Sequence, residues 1–416
     1  MKVLWFEVTE PSRYKAEGEP IGGWQDSLEN IVRNCPEIEL CIAFMSGNIY
    51  EGKKIDGVIY QPIYAKYSFI TKIFKRKWDF FVAKLLPQAK KIINDFKPDI
   101  IHIFGTEWPF GQIVKLTKIP VVIHIQGAIV PYNNALYPPN YSVIDRIKQC
   151  GINPRKYFSL LMTIKDSQNR EKWEIDTWNT VSYYMGRTEW DKALSNIMHP
   201  GRKYFQVEEA LRPTFLDGKQ KWKGKSNLKL RLISTGCSSF WKGPDMMLKV
   251  AKILKTSGID FEWNVAGKMP DDIQQIVERK ENAKFVDCNI NIMGFIQSDK
   301  LVELLISSSI YVHTAYIENS PNSICEAQCL GVPIISTNVG GISTLVRNGE
   351  NGILVPANDP WQMANAIMEL SASQEKKEMY SNNGKRIAYT RHNPQNILSQ
   401  LLNCYNTIIR EYDKIS

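Results

Sequence analysis

The amino-acid sequence predicts an α/β protein with two Rossmann-like, doubly wound domains that face a central cleft. Short runs rich in branched apolar residues alternate with segments that repeat apolar residues at helical spacing, the pattern of parallel sheets covered by helices. The alternation restarts near residue 228, which indicates a second sheet. A chain of 416 residues is also too long for one ordinary core.

The first domain is predicted over residues 1–212. Four buried strands are predicted in it: KVLWF (2–6), ELCIAF (39–44), DIIHIF (99–104) and PVVIHIQ (120–126). Between these strands, WQDSLENIVRNC (24–35) and WDFFVAKLLPQAKKIINDF (78–96) carry apolar residues at the spacing of one helix face.

The second domain is predicted over residues 213–395, beginning with a basic, glycine-bearing connection. Its predicted elements include the strands LKLRLISTG (228–236), FEWNVAG (261–267) and IYVHTA (310–315), and the helix PDMMLKVAKILKTSG (244–258). Because ligands of doubly wound sheets bind outside the carboxyl ends of the strands, we expect the functional site in the cleft.

Composition and charge exclude several function classes. Hydrophobic residues make up 44% and charged residues 23%, which is ordinary for a globular protein. The net charge of +9 is concentrated in residues 72–91 and 218–231. Neither run is long or repetitive enough for a nucleic-acid-binding tail, so we interpret both as solvated faces and predict no nucleic-acid partner.

Cysteine usage and hydropathy predict a cytoplasmic protein. The eight cysteines are scattered without a CxxC pair, which indicates reduced thiols and argues against a disulfide framework or a zinc site. The N-terminal MKVLWFEVTE lacks the pattern of a signal peptide, and no run of 18 apolar residues could span a membrane.

The stretch ENSPNSICEAQCLGVPIIST (318–337) is the most informative part of the sequence. Ser320 is predicted to cap a helix and Pro321 to be its first residue, because proline has no N–H to lose there. The helix should run to Leu330 and end at Gly331. Its start would lie at the carboxyl end of the strand IYVHTA.

Two carboxylates flank this helix start. The first turn holds Asn322 and Ser323, whose backbone amides and positive helix end favour an anion such as a diphosphate. Glu326 should lean back over that turn, because helical side chains point toward the N-terminus, and Glu318 approaches from the loop. Sugars on both sides of a diphosphate would suit the two carboxylates, which predicts a nucleotide sugar. The alternative is that both glutamates only favour the helix start or lie in solvent.

The segment resembles the signature of the family 4 glycosyltransferases, retaining enzymes of the GT-B fold. The resemblance covers roughly residues 228–395 and includes the following positions: Gly331, Pro333, Gly340, Gly341, Gly349, Asn351, Gly352 and Asp359. It implies that Glu326 binds the ribose hydroxyls of the donor and that Glu318 contacts the transferred sugar. The amides around Asn322 and Ser323 would hold the diphosphate.

One departure from the family lies in STGCSSFWKGPD (234–245). The family usually places an arginine and then a lysine–glycine pair at the diphosphate. Lys242 and Gly243 match that pair, but Cys237 takes the place of the arginine. We predict Lys242 as the cation that stabilises the leaving group; the alternative is an ordinary surface charge.

The first domain offers a candidate for the missing cation. Arg187, in MGRTEWDKAL, follows a predicted strand and could replace the arginine or bind a phosphate of the acceptor. An ion pair with Glu189 or Asp191 is the alternative.

Further cleft residues are predicted in the same domain. Gly22 and Gly23 match the glycine-rich loop after the first strand, although such a pair can be a simple turn. In HIQGAI, aligned on Gly127, Gln126 takes the place of the residue that the family carries near the reacting carbon. His124 lies two residues earlier and could equally be a core histidine.

No metal or other cofactor is expected. The chain has no DxD motif where a metal would be needed, and the resemblance implies a metal-independent enzyme whose diphosphate is neutralised by Lys242 and a helix end. The resemblance also implies front-face substitution without an enzymic nucleophile.

Residues 66–86 carry a second hypothesis. As a helix, this stretch would combine aromatic and basic side chains in a surface for anionic lipid: Phe69, Ile73, Phe74, Phe80, Phe81, Lys72, Lys75, Arg76 and Lys77. Such contact would hold the protein at the inner face of the cell membrane and bring a lipid-linked acceptor to the cleft. A core helix with one basic face is the alternative.

Together these observations predict a retaining glycosyltransferase, with residues 396–416 returning as a helix to the first domain. It would move a sugar from a nucleotide-diphosphate sugar to a saccharide or lipid-linked acceptor in bacterial surface polysaccharide biosynthesis. A nucleotide-sugar epimerase of the same fold and a catalytically inactive homologue remain alternatives. A dinucleotide-binding oxidoreductase would need a GxGxxG motif after an early strand, which EGEPIGGWQDS does not supply.

Overall fold

The computed structural model describes most of the chain, in five segments: residues 1–15, 23–67, 77–219, 221–224 and 229–414. The chain divides into two compact units. Unit 1 comprises Met1–Val130, Leu161–Ala210 and His392–Ser416, and unit 2 comprises Pro131–Leu160 and Leu211–Arg391.

Each unit is built on one sheet. The strands of unit 1 are β1 (Lys2–Glu7), β2 (Glu39–Ser46), β3 (Lys53–Ile55), β4 (Val58–Tyr64), β5 (Ile100–Phe104), β6 (Val121–His124), β7 (Tyr183–Gly186) and β8 (Lys203–Gln206). Those of unit 2 are β9 (Leu230–Thr235), β10 (Phe261–Ala266), β11 (Ile290–Ile292), β12 (Ile310–His313), β13 (Ile334–Thr337) and β14 (Ile353–Val355).

The helices connect these strands. They are α1 (Trp24–Val32), α2 (Lys77–Phe96), α3 (Ile129–Asn134), α4 (Val143–Cys150), α5 (Pro154–Thr180), α6 (Glu189–Met198), α7 (Pro213–Leu216), α8 (Pro244–Thr256), α9 (Asp271–Glu281), α10 (Ser298–Ser307), α11 (Asn322–Leu330), α12 (Ile342–Leu345), α13 (Pro360–Ala372), α14 (Gln374–Arg391) and α15 (Pro394–Tyr412). No helix in the described segments combines the length and apolar character needed to cross a membrane.

Both sheets have the order of doubly wound folds. In unit 1 the order is β3-β4-β2-β1-β5-β6-β7-β8, with all pairs parallel except β3 with β4. In unit 2 it is β11-β10-β9-β12-β13-β14, and all pairs are parallel. Parallel strands require crossover helices, which cover both faces and explain why the predicted strands are almost continuously apolar.

Strand β1 contributes side chains to the hydrophobic clusters on both faces of the unit 1 sheet. Leu4 and Phe6 belong to the cluster on one face of the sheet, and Val3 and Trp5 to the cluster on the other face, because strand side chains alternate. Trp5 Nε1 donates a hydrogen bond to Tyr405 Oη of α15 at 3.0 Å. The C-terminal helix therefore covers this face of the unit 1 sheet.

The division into units differs from the predicted domains. The units change at residues 210/211 and 391/392, where the sequence predicted 212/213 and 395/396. Residues 131–160, predicted in the first domain, lie in unit 2. Tyr141 belongs to a core cluster of unit 2, and its hydroxyl donates to Glu281 Oε1 at 2.7 Å. These contacts hold residues 131–160 against the rest of unit 2.

The predicted lipid-binding stretch is only partly described, since residues 68–76, which include Phe69, Ile73 and Phe74, lie outside the described segments. Phe80 and Phe81 are buried in a core cluster of unit 1. The prediction that these two side chains face lipid is therefore wrong, because α2 packs its aromatic face against the sheet.

Candidate active site

The site predicted in the second domain lies in unit 2 at the carboxyl ends of two neighbouring strands. Strands β9 and β12 pair in parallel, so the loops that follow them emerge at the same edge of the sheet. The loop after β9 carries Lys242 and Gly243, and the loop after β12 carries Glu318 and leads into α11.

Helix α11 starts one residue later than predicted. Pro321 is its cap, in extended conformation with φ −71° and ψ 118°, and its carbonyl accepts from the N–H of Ile324 at 3.0 Å. Ser320 is therefore not the cap, and Asn322 is the first helical residue. At the other end Gly331 adopts the left-handed conformation at φ +81°, as the predicted helix end requires.

Lys242 and Glu318 form an ion pair between the two loops. Glu318 is 6% exposed, and the Lys242 side chain keeps 28% of its surface exposed. The loops are tied together because Thr314 Oγ1 donates to the carbonyl oxygen of Lys242 at 2.9 Å. Gly243 has φ +72°, and a Cβ there would overlap the Thr314 carbonyl, so only glycine allows this approach.

The backbone of Glu318 is held by the glycine pair of the signature. The N–H of Gly341 donates to the Glu318 carbonyl oxygen at 2.9 Å. Gly340 has φ +52°, and a Cβ at this position would overlap the same oxygen. Two glycines distant from the helix start therefore fix the position of its first carboxylate.

Glu326 is paired with Arg212, which was not predicted from the sequence. Arg212 Nε and Nη2 both donate to Glu326 Oε1, at 2.9 and 2.7 Å, and the guanidinium lies 4.7 Å from the ring centroid of Phe215. Burial raises the pKa of Glu326, and Arg212 opposes that shift. No local sequence pattern indicates this pair, because 114 residues separate Arg212 from Glu326.

The first turn of α11 is anchored by a buried tyrosine. Tyr311 Oη lies 2.9 Å from Thr235 Oγ1 and is also hydrogen-bonded to Ser323. Burial raises the pKa of Tyr311 to about 12, so its hydroxyl stays protonated. Ser323 and its neighbour Asn322 are thus held at the end of β12, beside the loop that carries Glu318.

Cys237 provides no charge at the position where the family carries arginine. It is completely buried in the core cluster of α8 and β10, with its sulfur 3.9 Å from the carbonyl oxygen of Gly267. Burial raises the pKa of the thiol to about 11, so it is neutral at physiological pH.

Two predicted residues of the first domain lie in unit 1 at the ends of neighbouring strands, Gln126 after β6 and Arg187 after β7. Arg187 Nη2 donates to the carbonyl oxygen of Gln126 at 3.0 Å, and its guanidinium lies 5.0 Å from the ring centroid of Trp24. Asp191 accepts from the backbone N–H of Arg187. Arg187 and Gln126 are therefore brought together, and both remain candidates for the acceptor side.

His124 and the glycine pair have weaker geometric support. His124 is completely buried, its Nε2 lies 3.2 Å from the Val207 carbonyl oxygen, and burial lowers its pKa to about 3. These contacts favour the interpretation as a core histidine. Gly23 caps α1, and a Cβ there would meet nothing within 4 Å. Gly22 lies outside the described segments.

Two acids near the end of β5 were not predicted, the buried Glu174 and the partly buried Glu107. Glu174 accepts from Thr106 Oγ1 at 2.6 Å and from the N–H of Ile129 at 2.7 Å, and burial raises its pKa to about 7. Burial also raises the pKa of Glu107, whose Oε2 has no hydrogen-bond partner among the described residues. No sequence motif marks these acids, because their neighbours come from distant segments.

Part of unit 2 is similar in sequence to known proteins. Residues 218–387 match the family of glycosyl transferases group 1. The capsular polysaccharide biosynthesis glycosyltransferase CapM of Staphylococcus aureus is 26% identical over 170 residues, which cover 41% of this chain and 44% of that relative. The chain thus spans less than half the length of this relative.

Two solved structures share the fold. Sucrose-phosphate synthase from Thermosynechococcus elongatus superposes with a TM-score of 0.75 at 14% identity, covering 99% of this chain and all of that one. HepE from Anabaena, in complex with UDP-glucose, superposes with a TM-score of 0.66 at 14% identity, covering 98% of this chain and all of that one.

The two superpositions confirm the predicted GT-B fold. The sequence match covers the same part of unit 2 that holds Lys242, Glu318 and Glu326. Residues 218–387, which form most of unit 2, match the glycosyl transferases group 1 family, and the chain as a whole has the GT-B fold.

Proposed function

We propose that the protein is a retaining glycosyltransferase that moves a sugar from a nucleotide-diphosphate sugar to a saccharide or lipid-linked saccharide. The observation that carries this proposal is the arrangement at the ends of β9 and β12. Two largely buried carboxylates, Glu318 and Glu326, each paired with a cation, flank the start of α11.

The donor diphosphate would bind at the helix start. Its charge is complemented by Lys242 and by the backbone amides of Asn322 and Ser323 in the first turn of α11, which have no partner within the helix. When the donor enters, Lys242 exchanges its bond to Glu318 for a phosphate oxygen. Glu318 then accepts from hydroxyl groups of the transferred sugar, so the ion pair of the free protein is replaced by two contacts with the donor.

The ribose would bind at Glu326. Arg212 occupies Oε1 of this carboxylate, which leaves Oε2 to accept from a ribose hydroxyl. Arg212 also favours the ionised carboxylate, the better acceptor, against the cost of burial. We therefore assign Arg212 as a positioning residue of the donor site.

Leaving-group stabilisation would come from the chain's own charges, without a metal ion. The bond between the anomeric carbon and the diphosphate oxygen breaks as the acceptor oxygen bonds to the same face of that carbon. The departing diphosphate takes the proton of the acceptor hydroxyl. Lys242 and the α11 amides oppose the charge that develops on the leaving group.

The acceptor is assigned to unit 1. Gln126 after β6 and Arg187 after β7 supply an amide and a guanidinium for a hydroxyl or a phosphate, and the partly buried Glu107 lies near them. The capsular role in the name of CapM supports a place in bacterial surface polysaccharide biosynthesis, and the UDP-glucose of HepE supports a UDP-sugar donor. A cytoplasmic location is supported by the eight cysteines, none of which is in a disulfide.

Product analysis tests this proposal. The purified protein is incubated with radiolabelled UDP-sugars and GDP-sugars in the presence of EDTA, with and without oligosaccharide acceptors. We expect labelled product only with an acceptor, and the anomeric configuration of the donor retained in its NMR spectrum. The same product should be lost in Glu326→Gln but not in Glu303→Gln, a matched change on the exposed face of α10.

Two outcomes would contradict the proposal. Conversion of the nucleotide sugar without any acceptor would identify an epimerase. Donor binding without turnover under any of these conditions would identify a catalytically inactive homologue, in which Cys237 has removed an essential charge.

A further inference from the structure

Helix α4 packs on unit 2 through its polar side. Arg146 Nη2 lies 3.2 Å from Asp272 Oδ2 of α9, and Gln149 Oε1 accepts from Arg279 Nη1 at 2.8 Å. Asp145 is buried and lies 3.3 Å from Lys280 Nζ. The contacts that hold this helix are therefore largely ion pairs and hydrogen bonds.

The apolar side of the same helix faces solvent. Ile144 is 56% exposed and Ile147 is 36% exposed. A surface helix of a globular protein normally does the reverse and buries its apolar stripe against the core. The orientation of α4 therefore leaves apolar surface in water, which is unfavourable unless something else covers it.

The exposed apolar surface continues into the next segment. Residues 151–159 are all exposed, and they include Ile152, Tyr157 and Phe158. Fifteen large hydrophobic side chains are exposed in the described segments, and five of them lie within residues 144–158. Scattered exposed side chains are normal, but a concentration of this kind marks an interaction surface.

The charges of this segment have one sign. Lys148, Arg155 and Lys156 are exposed between the apolar side chains. The only acid in residues 143–159 is Asp145, which is buried against Lys280. Asp272, on the neighbouring helix, is paired with Arg146. The outward surface is thus apolar and cationic.

We propose that residues 143–159, the basic apolar segment, bind the surface of an anionic lipid bilayer. The isoleucines and Phe158 would enter the boundary between headgroups and acyl chains, with Tyr157 at headgroup level. The lysines and arginine would contact lipid phosphates. A bilayer fits better than a protein partner, because protein interfaces are depleted of lysine, whereas anionic lipids favour each added cation.

Vesicle flotation of the full chain tests this proposal. The unaltered protein should float with phosphatidylcholine vesicles that contain phosphatidylglycerol and not with phosphatidylcholine alone. Reversing Lys148, Arg155 and Lys156 to glutamate should weaken binding at least about 100-fold, because each cation contributes about five-fold. Ile152→Ser with Phe158→Ser should weaken it by about ten-fold for each side chain.

Matched variants separate this segment from other surfaces. Reversing the exposed Lys84, Lys90 and Lys91 of α2 changes the net charge equally, and should lower binding far less. Ile197→Ser with Val286→Ser removes two other exposed side chains and should have no effect. All these positions are exposed, so unchanged thermal unfolding can confirm that each variant is folded.

Three results would overturn the proposal. One is that the unaltered protein fails to float with anionic vesicles. Another is equal loss of binding in the α2 variant and in the basic apolar segment. The third is a concentration-dependent dimer without lipid that Ile152→Ser with Phe158→Ser abolishes, because the apolar surface would then serve a second copy of the chain.

Discussion

The polar groups at the strand ends of unit 2 and those of unit 1 are built on different principles. In unit 2, Glu318 and Glu326 are each paired with a cation, Lys242 or Arg212. In unit 1, Glu174 is held by a hydroxyl and backbone N–H groups, and burial raises its pKa to about 7. The ion pairs of unit 2 suit an anionic ligand, which can replace a carboxylate as the partner of a cation. The hydrogen bonds of Glu174 fix the loops that carry Thr106 and Ile129, and its protonation depends on pH.

The largest effect should follow from removing the cation of unit 2. Lys242→Ala should lower kcat by about 100-fold to 1,000-fold, because the charge on the departing diphosphate loses its side-chain partner. Steady-state kinetics measure this effect, with the exposed Lys300→Ala as the control. Unchanged turnover in a folded Lys242→Ala would contradict the proposal that Lys242 exchanges its bond to Glu318 for the donor diphosphate.

Glu174 should contribute measurably to the pH dependence of the stability of unit 1. The pKa of Glu174 is about 7 in the folded protein and about 4.5 in the unfolded chain. The folded protein therefore keeps this proton up to a higher pH than the unfolded chain does. This contribution to stability is complete below pH 4.5 and is lost as pH rises through 7. Glu174→Gln should reduce the fall in unfolding free energy across that window by about 3 kcal/mol.

Urea unfolding between these pH values measures the effect of Glu174→Gln. Glu189→Gln, an exposed acid in the same unit, is the matched control and should leave the pH profile unchanged. If the unfolding free energy of Glu174→Gln depends on pH as it does in the unaltered protein, burial does not raise the pKa of Glu174. The carboxylates of the two units would then not differ in this respect.

Arg212 should act through the pKa of Glu326. Without the guanidinium, the buried carboxyl has a higher pKa and takes up a proton at higher pH. The KM of Arg212→Ala for the donor should therefore rise by about ten-fold at neutral pH, and more as pH falls, with kcat little changed. Arg212→Lys should restore part of the affinity. A rise in KM that is the same at every pH would instead indicate lost packing on Phe215.

The smallest effect should come from Gln126. Gln126→Ala should raise the KM for the acceptor by about five-fold, since one neutral hydrogen bond is lost, without changing donor binding. Kinetics at saturating donor with varied acceptor measure this. A change confined to donor affinity would contradict the assignment of Gln126 to acceptor binding.

The predictability of the two regions differs for a physical reason. The residues of α11 and the glycines after β13 act within one continuous segment, so their spacing already predicted Glu318, Glu326 and the helix end at Gly331. The fixed backbone angle of Pro321 allows it to be either the N-cap or the first residue of the helix, so the sequence did not distinguish these two positions. The start of α11 was therefore misplaced by one residue.

Long-range contacts explain what the sequence could not predict. Arg212 reaches Glu326 across 114 residues, and Tyr141 reaches Glu281 across 140. The packing of residues 131–160 in unit 2 depends on such contacts and on ion pairs that no periodic pattern reveals. Apolar periodicity located the strands and helices, but it did not indicate that α4 turns its apolar face outward.

Thermal unfolding with nucleotides is the most direct test of the donor site. The unaltered protein, Glu326→Ala and the control Glu303→Ala are compared with UDP, GDP, their sugar conjugates and NAD, without metal. We predict that one nucleotide class raises the Tm of the unaltered protein and of Glu303→Ala, and that Glu326→Ala loses this shift. A shift that Glu326→Ala retains, or no shift with any nucleotide, would contradict the assignment of the paired carboxylates to a nucleotide sugar.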